Sequence, residues 1–364
     1  MGRRTLTTDP AGRAAAAERA VVSGHLHRLA GLPGTALGAN TRPARLRHRS
    51  FLAWNYWWQA HLLDCLLDAE LRAPAGIRRI TIGRVIRGIR LRNLGRWTNA
   101  YYDDMAWLGL ALDRAERRLG LGRPAAVTTL VDQLLTAWTA ELGGGIPWRR
   151  GDEFKNAPAN GPAAILLARA GFLDRAVATA DWIDRLLRDP VTGLIRDGAR
   201  PDDRPDADPI RIETPIYTYN QGVVLGAELE LARRSVSGER HAARVRHLVD
   251  AVADGLSTDG VLQGHAGGDS GLFTGILARY LAFVARSLPG DDAANARTRA
   301  RAAVLVRTSA DAAWTGAARA GRDLTFAPDW AHPARPPARR NAERDLSVQL
   351  SGWTVLEAAA TLDR

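Results

Sequence analysis

Apolar residues recur along this chain at the spacing of one face of a helix, and the strict alternation of a half-buried strand is nearly absent. The spacing and the residues at its breaks predict about twelve helices. They cover residues 11–30, 50–70, 78–91, 99–119, 125–141, 158–170, 172–188, 216–234, 237–256, 268–287, 291–315 and 341–361. Asp9-Pro10 opens the first, Gly120 closes the fourth and Gly171 separates the sixth from the seventh. Ser237 stands where a cap of the ninth belongs. Alanine and glycine are common on the helix faces, which lets neighbouring helices approach closely.

Two kinds of connection alternate. Leu119 to Arg123 and Ala170 to Phe172 are short, whereas 142–157, 189–215, 257–267 and 321–340 are long and rich in Gly, Pro, Asn, Asp and Trp. Long loops in a compact fold are usually functional, so hairpins of helices with working loops at one end are expected. Asp189 to Gly198 reads as a β-hairpin carried on one such loop. No linker divides the chain, which implies one all-α domain over 1–364 with residues 1–10 as a mobile end. Paired helices near twelve in number point to an (α/α)6 barrel. An open solenoid would show a repeat of about 33–47 residues, and none is found.

Composition changes this picture little. Apolar residues make up 46% of 364, enough for a large core. The single cysteine, Cys65, leaves no disulfide framework and reads as a buried small hydrophobe. The histidines show no metal-ligand spacing, so neither metal nor cofactor is expected. The net charge is +11, but arginine recurs in helix after helix with acids among it, unlike a nucleic-acid footprint on one face; no nucleic-acid partner is expected. Arginine supplies 49 of the 50 basic residues, and the one lysine, Lys155, stands in a polar loop. No export signal and no membrane-spanning run is visible, so a cytoplasmic protein is expected. The residues say nothing of oligomeric state.

The chemistry concentrates in Trp97-Thr-Asn-Ala-Tyr-Tyr-Asp-Asp-Met-Ala-Trp107. Asp103 and Asp104 lie side by side among Tyr101, Tyr102, Met105 and Trp107, whereas a solvated acidic pair at a helix start would have polar neighbours. Paired carboxylates break glycosidic bonds and aromatic faces hold sugar rings. Adjacency favours the roughly 5–5.5 Å separation of retaining glycosidases over the wider inverting one. A diphosphate-binding metal site would need a third acid where Trp107 stands.

Gly143-Gly-Gly-Ile-Pro-Trp148 and the nearby Asn156 and Asn160 read as backbone, stacking face and hydroxyl grips for a ligand, with a plain helix cap as the alternative for Asn156. Tyr219, Asn220 and Gln221 open the eighth helix and are candidate contacts, with capping the alternative for Asn220. Asp269 is a candidate contact or an N-cap. Trp54, Trp57, Trp58 and His61 share one helix face, which favours core, but Trp57 and Gln59 are retained as candidates along with Tyr102.

Seven segments in order resemble glycoside hydrolase family 76, the endo-α-1,6-mannanases, and its bacterial branch most closely. They are 56–64, 99–107, 143–148, 155–160, 217–222, 268–273 and 347–353. The resemblance implies an (α/α)6 barrel, a retaining mechanism without metal, and an α-mannan or mannooligosaccharide substrate. It implies Asp103 as nucleophile and Asp104 as general acid/base, with Asp104 protonated at rest beside the charge of Asp103. Transfer of the mannosyl group to a sugar or lipid, or binding without turnover, are the alternatives.

Overall fold

The computed structural model describes residues 9–202, 204, 208–320, 323–334 and 344–364. The expected mobile end at 1–10 therefore lies mostly outside the described residues, as do the start of the expected helix 341–361 and part of the loop 321–340. Helix α1 (Pro10–His25) begins where Asp9 accepts a hydrogen bond from Gly12 N at 3.0 Å and Pro10 fills the first turn. A single turn, α2 (Leu46–Arg49), precedes α3 (Tyr56–Arg72) and α4 (Gly76–Arg92). Then follow α5 (Tyr102–Leu119), α6 (Pro124–Ala137), α7 (Ala157–Arg169) and α8 (Leu173–Leu187). The last five are α9 (Thr218–Arg234), α10 (Gly238–Gly255), α11 (Phe273–Ser287), α12 (Ala293–Gly316) and α13 (Leu346–Thr361).

The twelve long helices form two rings. Helices α3, α5, α7, α9, α11 and α13 each pack on the next, and α13 returns to α3. Helices α4, α6, α8, α10, α12 and α1 pack outside them, each on the inner helix next to it in sequence, with α1 covering α13. This is an (α/α)6 barrel, and the burial pattern explains it. Every residue of α7 from Ala157 to Ala168 and of α13 from Leu346 to Ala360 is buried, which suits only a helix surrounded by others. Helix α10 instead buries His241, Ala242, Val245, Leu248, Val249 and Val252, the stripe of a helix with one wet face.

Inner helices this close need bare backbone at their crossings. A Cβ on Gly222 of α9 would stand 2.9 Å from Leu277 Cα of α11, and one on Gly275 would stand 2.7 Å from Ser351 Cα of α13. Lower in the ring, a buried ion cluster ties three helices. Arg114 of α5 bonds Asp64 at 3.0 Å and also Asp68, both of α3, and Arg279 of α11 bonds Asp68 at 2.8 Å. Burial pushes the Asp64 carboxyl up, but the guanidinium groups of Arg279 and Arg114 outweigh it and hold it below the usual range.

The structure corrects several local expectations. The first helix stops at His25 rather than residue 30, the second starts at Tyr56, and 268–272 is a 3-10 turn before α11. Ser237 stands at the start of α10, yet its hydroxyl pairs with Ser235 Oγ at 2.9 Å instead of capping. The hairpin expected at 189–198 is displaced. Asp189 and Gly193 make a turn, and the strands are Arg196–Pro201 and Ile210–Ile216, joined on one side by Lys155–Asn156. No described helix is long and apolar enough to cross a membrane.

Gly275→Val should cost about 1–3 kcal/mol by overpacking the α11–α13 crossing. Gly83 of α4 has open space where its Cβ would sit, so Gly83→Ala should stabilise by about 0.5–1 kcal/mol. Thermal unfolding of the two variants beside the parent checks both signs.

Candidate active site

The inner helices present their first turns to one end of the barrel, and a cleft of about 1230 Å³ opens there. Trp54, Asn55 and Trp57 come from the start of α3, Tyr101, Asp103 and Asp104 from α5, and Asn156 from α7. Tyr217 and Tyr219 come from α9, Asp269 and Phe273 from the start of α11, and Trp148, Asp197 and His265 from the loops between.

Asp103 and Asp104 both line this cleft, half-buried in the first turn of α5. Their surroundings differ. Asp103 Oδ2 accepts from Trp148 Nε1 at 3.0 Å, and its Oδ1 accepts from the Asp104 backbone N–H at 2.9 Å. Asp104 Oδ2 accepts from Asn99 Nδ2 at 2.6 Å. Protein crowded around Asp103 pushes its carboxyl up to about 6 against the pull of those two donors, with the charge of Asp269 adding to the rise. Burial and then the charge of Asp103 push Asp104 well above the usual carboxylate range. The two shifts are unequal, so a proton shared by the pair sits more readily on Asp104 and the charge on Asp103.

Asp269 is a third carboxylate in the cleft. Its Oδ1 accepts from Asn55 Nδ2 at 3.0 Å, Trp57 Nε1 at 3.2 Å and Trp58 Nε1 at 2.9 Å, so the aromatic start of α3 fixes it. Trp57 is thus both wall and support. Tyr219 stacks flat on Phe273, with centroids 3.8 Å apart and planes within 6°. Trp148 meets Tyr101 edge to face at 5.1 Å, and its N–H serves Asp103 besides its face serving the cleft.

Five expected contacts do not line the cleft, and three of them are amides with one pattern of bonds. Gln59 accepts from Gly38 N at 2.7 Å and donates to Gly38 O at 3.0 Å. Asn160 accepts from Ile146 N at 2.7 Å and donates to Ile146 O and Asn156 O. Gln221 accepts from Ile195 N at 2.8 Å and donates to Ile195 O and Tyr217 O. Each of these fully buried amides clasps the N–H and C=O of one loop residue, which leaves it nothing to offer a ligand. Gln349 of α13 clasps Phe326 in the same way, at 3.1 and 3.3 Å. All four are the fourth residue of their helix. Tyr102 also lies off the cleft and packs against the core, and its neighbour Tyr101 faces the cleft instead.

Two residues act at one remove. Asn156 lines the cleft while capping α7, its Oδ1 accepting from Ala159 N at 3.1 Å. Asn220 is fully buried and donates to Asp197 Oδ1 at 3.2 Å, so it positions a cleft carboxylate instead of facing the cleft itself. Asp197, raised by burial, was missed in the sequence because a lone aspartate in a turn-rich loop carries no pattern. His265 was missed for the same reason, whereas Asn99 lies in the segment 97–107 and was missed because an asparagine at an expected helix start reads as a cap. His61 lies under the floor, its ring 4.6 Å from that of Trp107, and burial lowers it to about 3, so it is neutral.

The glycines at 143–145 approach protein, not ligand: a Cβ on Gly145 would meet the Trp182 ring at 3.0 Å. Lys155 holds this loop from beneath. Its ammonium donates to Thr139 Oγ1 at 2.8 Å, Glu141 O at 2.6 Å and Gly144 O at 2.9 Å, and burial lowers it to about 8. Among the described residues, no group of three or more His, Cys, Asp or Glu side chains is placed to hold a metal ion.

Comparison with known proteins agrees with this geometry. The α-1,6-mannanase GH76A of Salegentibacter sp. HEL1_6 superposes with a TM-score of 0.84 at 27% identity, over 97% of this chain and 100% of its own. An inactive variant of that enzyme, with two consecutive aspartates replaced by alanine and α-1,6-mannotetrose bound, superposes with the same score at 26% identity, over 98% of this chain and 100% of its own. The Lin0763 protein of Listeria innocua gives 0.80 at 26% identity over 98% of both chains. No curated protein matches the chain in a sequence comparison. The family model for glycosyl hydrolase family 76 matches residues 14–363. With nearly its whole length matched, the chain belongs to glycosyl hydrolase family 76 and is a glycoside hydrolase.

Proposed function

We propose that the protein cleaves α-1,6-linked mannan or mannooligosaccharide with retention, through a mannosyl-enzyme intermediate. The observation that carries the reading is the unequal treatment of two adjacent carboxylates. Asp103 receives an indole and a backbone N–H, which favour its ionised form, whereas Asp104 is pushed toward its protonated form. One is equipped as nucleophile and the other as acid.

In the first step an oxygen of Asp103 attacks C1 of the sugar as the C1–O bond to the leaving group breaks. The Asp104 proton passes to the departing oxygen. Asp104, now a carboxylate, takes a proton from water, whose oxygen attacks C1 and breaks the ester to Asp103. Asn99 holds Asp104 in place through both steps, and Trp148 and the Asp104 N–H share the charge that returns to Asp103. Tyr219 on Phe273, Trp57 and Trp148 supply faces for sugar rings, while Asp197 and Asp269 can accept from hydroxyls. The substrate class is supported by variants of the Salegentibacter enzyme, inactive when two consecutive aspartates are replaced, that hold α-1,6-mannotetrose and α-1,6-mannotriose.

Digestion of an α-1,6-mannooligosaccharide followed by proton NMR should show the α-anomer released first; initial β-product would overturn the mechanism. Asp103→Asn and Asp104→Asn should each lower kcat/KM by about 10²–10⁴-fold or more with the fold kept, checked by kinetics beside circular dichroism. The acid limb of the kcat/KM profile should fall near pH 6, because Asp103 must lose its proton to attack. Activity should decline again at higher pH as Asp104 loses the proton it must donate. Trp148→Phe removes a donor to the Asp103 carboxylate, which raises its pKa. The acid limb should then move to higher pH, with kcat/KM down about 10-fold.

A further inference from the structure

The interleaving of arginine with acids holds for most of the chain and fails in one stretch. Residues 19–102 contain fourteen arginines and three acids, a surplus of eleven. The rest of the chain contains 36 of the 50 basic residues and 36 of the 39 acids, so the whole net charge of +11 comes from this stretch. Its three acids do not offset it at the surface. Asp64 and Asp68 belong to the buried cluster with Arg114 and Arg279, and buried Glu70 pairs with Arg78. Arg47, Arg49, Arg84, Arg87, Arg90 and Arg96 are exposed and form no ion pair among the described residues.

The same stretch carries seven of the eleven exposed large apolar side chains of the described residues. On α4, Ile77, Ile80, Arg84, Arg87 and Leu91 succeed one another at spacings of three and four and make one outward stripe. Leu94 continues it, 86% exposed. Leu52, 78% exposed, sits beside its end, where Arg92 donates to Phe51 O at 2.5 Å. Leu46 is 84% exposed on the same loop. Unpaired arginine with protruding leucine and isoleucine is the composition of a helix that lies on a charged interface. A binder of nucleic acid or an acidic protein would need the charge but not the bare aliphatic groups.

We propose that this face, the outside of α4 with the loop 44–53, docks on an anionic lipid bilayer. The arginines meet headgroups, and Leu46, Leu52, Leu91 and Leu94 enter the boundary between headgroups and acyl chains. The face adjoins the catalytic cleft: Trp54 follows the loop, Asn93 follows α4, and both line the cleft. A saccharide anchored in the bilayer by one end is thereby brought to the mouth of the site. The docking is independent of the catalytic reading and is tested without turnover.

The full chain is mixed at low salt with vesicles of phosphatidylcholine alone, or of phosphatidylcholine and phosphatidylglycerol at about 3:1, and floated through a density gradient. Flotation with the anionic vesicles only is expected, weakening as salt is raised. Arg84→Gln and Arg87→Gln should lower partitioning by about five-fold each. A Leu46→Ser, Leu52→Ser and Leu94→Asn triple variant should lower it by a similar factor while its retention on duplex DNA is unchanged; Asn suits the left-handed backbone at position 94, where φ is +54°. Absence of flotation at low salt overturns the proposal. So does flotation that the leucine variant leaves intact, or that duplex DNA abolishes at equal charge, since either result marks a general polyanion surface.

Discussion

Two carboxylates set side by side in a half-dry pocket cannot both be charged unless a cation attends them. Among the described residues, none of the groups that bond Asp103 and Asp104 is cationic: they are an indole, a carboxamide and backbone N–H groups. Neutral donors can bias where a negative charge sits without cancelling it, and burial, the charge of one carboxylate on the other and these donors together favour the proton on Asp104. The site depends on this constraint. An arginine at bonding distance would favour the ionised form of both groups, and a wholly apolar wall would favour the protonated form of both.

Keeping that bias requires the donors to stay where they are. Trp148 rides on a loop far from helix α5 in sequence, and several devices fix the loop. Asn160 clasps Ile146, Lys155 collects oxygens from residues 139, 141 and 144, and Gly145 lies against the Trp182 ring. The electrostatics of the carboxylates are thus tied to the packing of side chains such as Asn160, Lys155 and Trp182 that never touch them. The ion cluster of Asp64, Asp68, Arg114 and Arg279 sets the spacing of α3, α5 and α11 below.

The architecture was legible because helix periodicity and burial obey the same geometry. All twelve long helices were found, and the pairing of short with long connections pointed to the barrel. Helix ends were read less well, since the 3-10 turn at 268–272 and the strands near 196–216 depend on tertiary partners. Asp103 and Asp104 stand out in the sequence because acids among aromatics suit no ordinary helix start, and the structure places both in the cleft. The amides were not legible. Asn160 and Gln221 look the same in sequence whether they grip a sugar or a backbone, and only the position of Ile146 and Ile195 decides. Tyr101 and Tyr102 were confused because one residue of phase at a helix start turns a ring from cleft to core.

The recurring clasp has a consequence for how such a barrel can change. Gln59, Asn160, Gln221 and Gln349 each hold a loop by its main chain alone, at residues as different as Gly38, Ile146, Ile195 and Phe326. Attachment is therefore indifferent to the side chain of the clasped residue. The loops clasped at Ile146 and Ile195, which carry the cleft residues Trp148 and Asp197, can drift in composition while their anchor points stay fixed to the ring. The barrel thus separates what its loops are made of from where they are held.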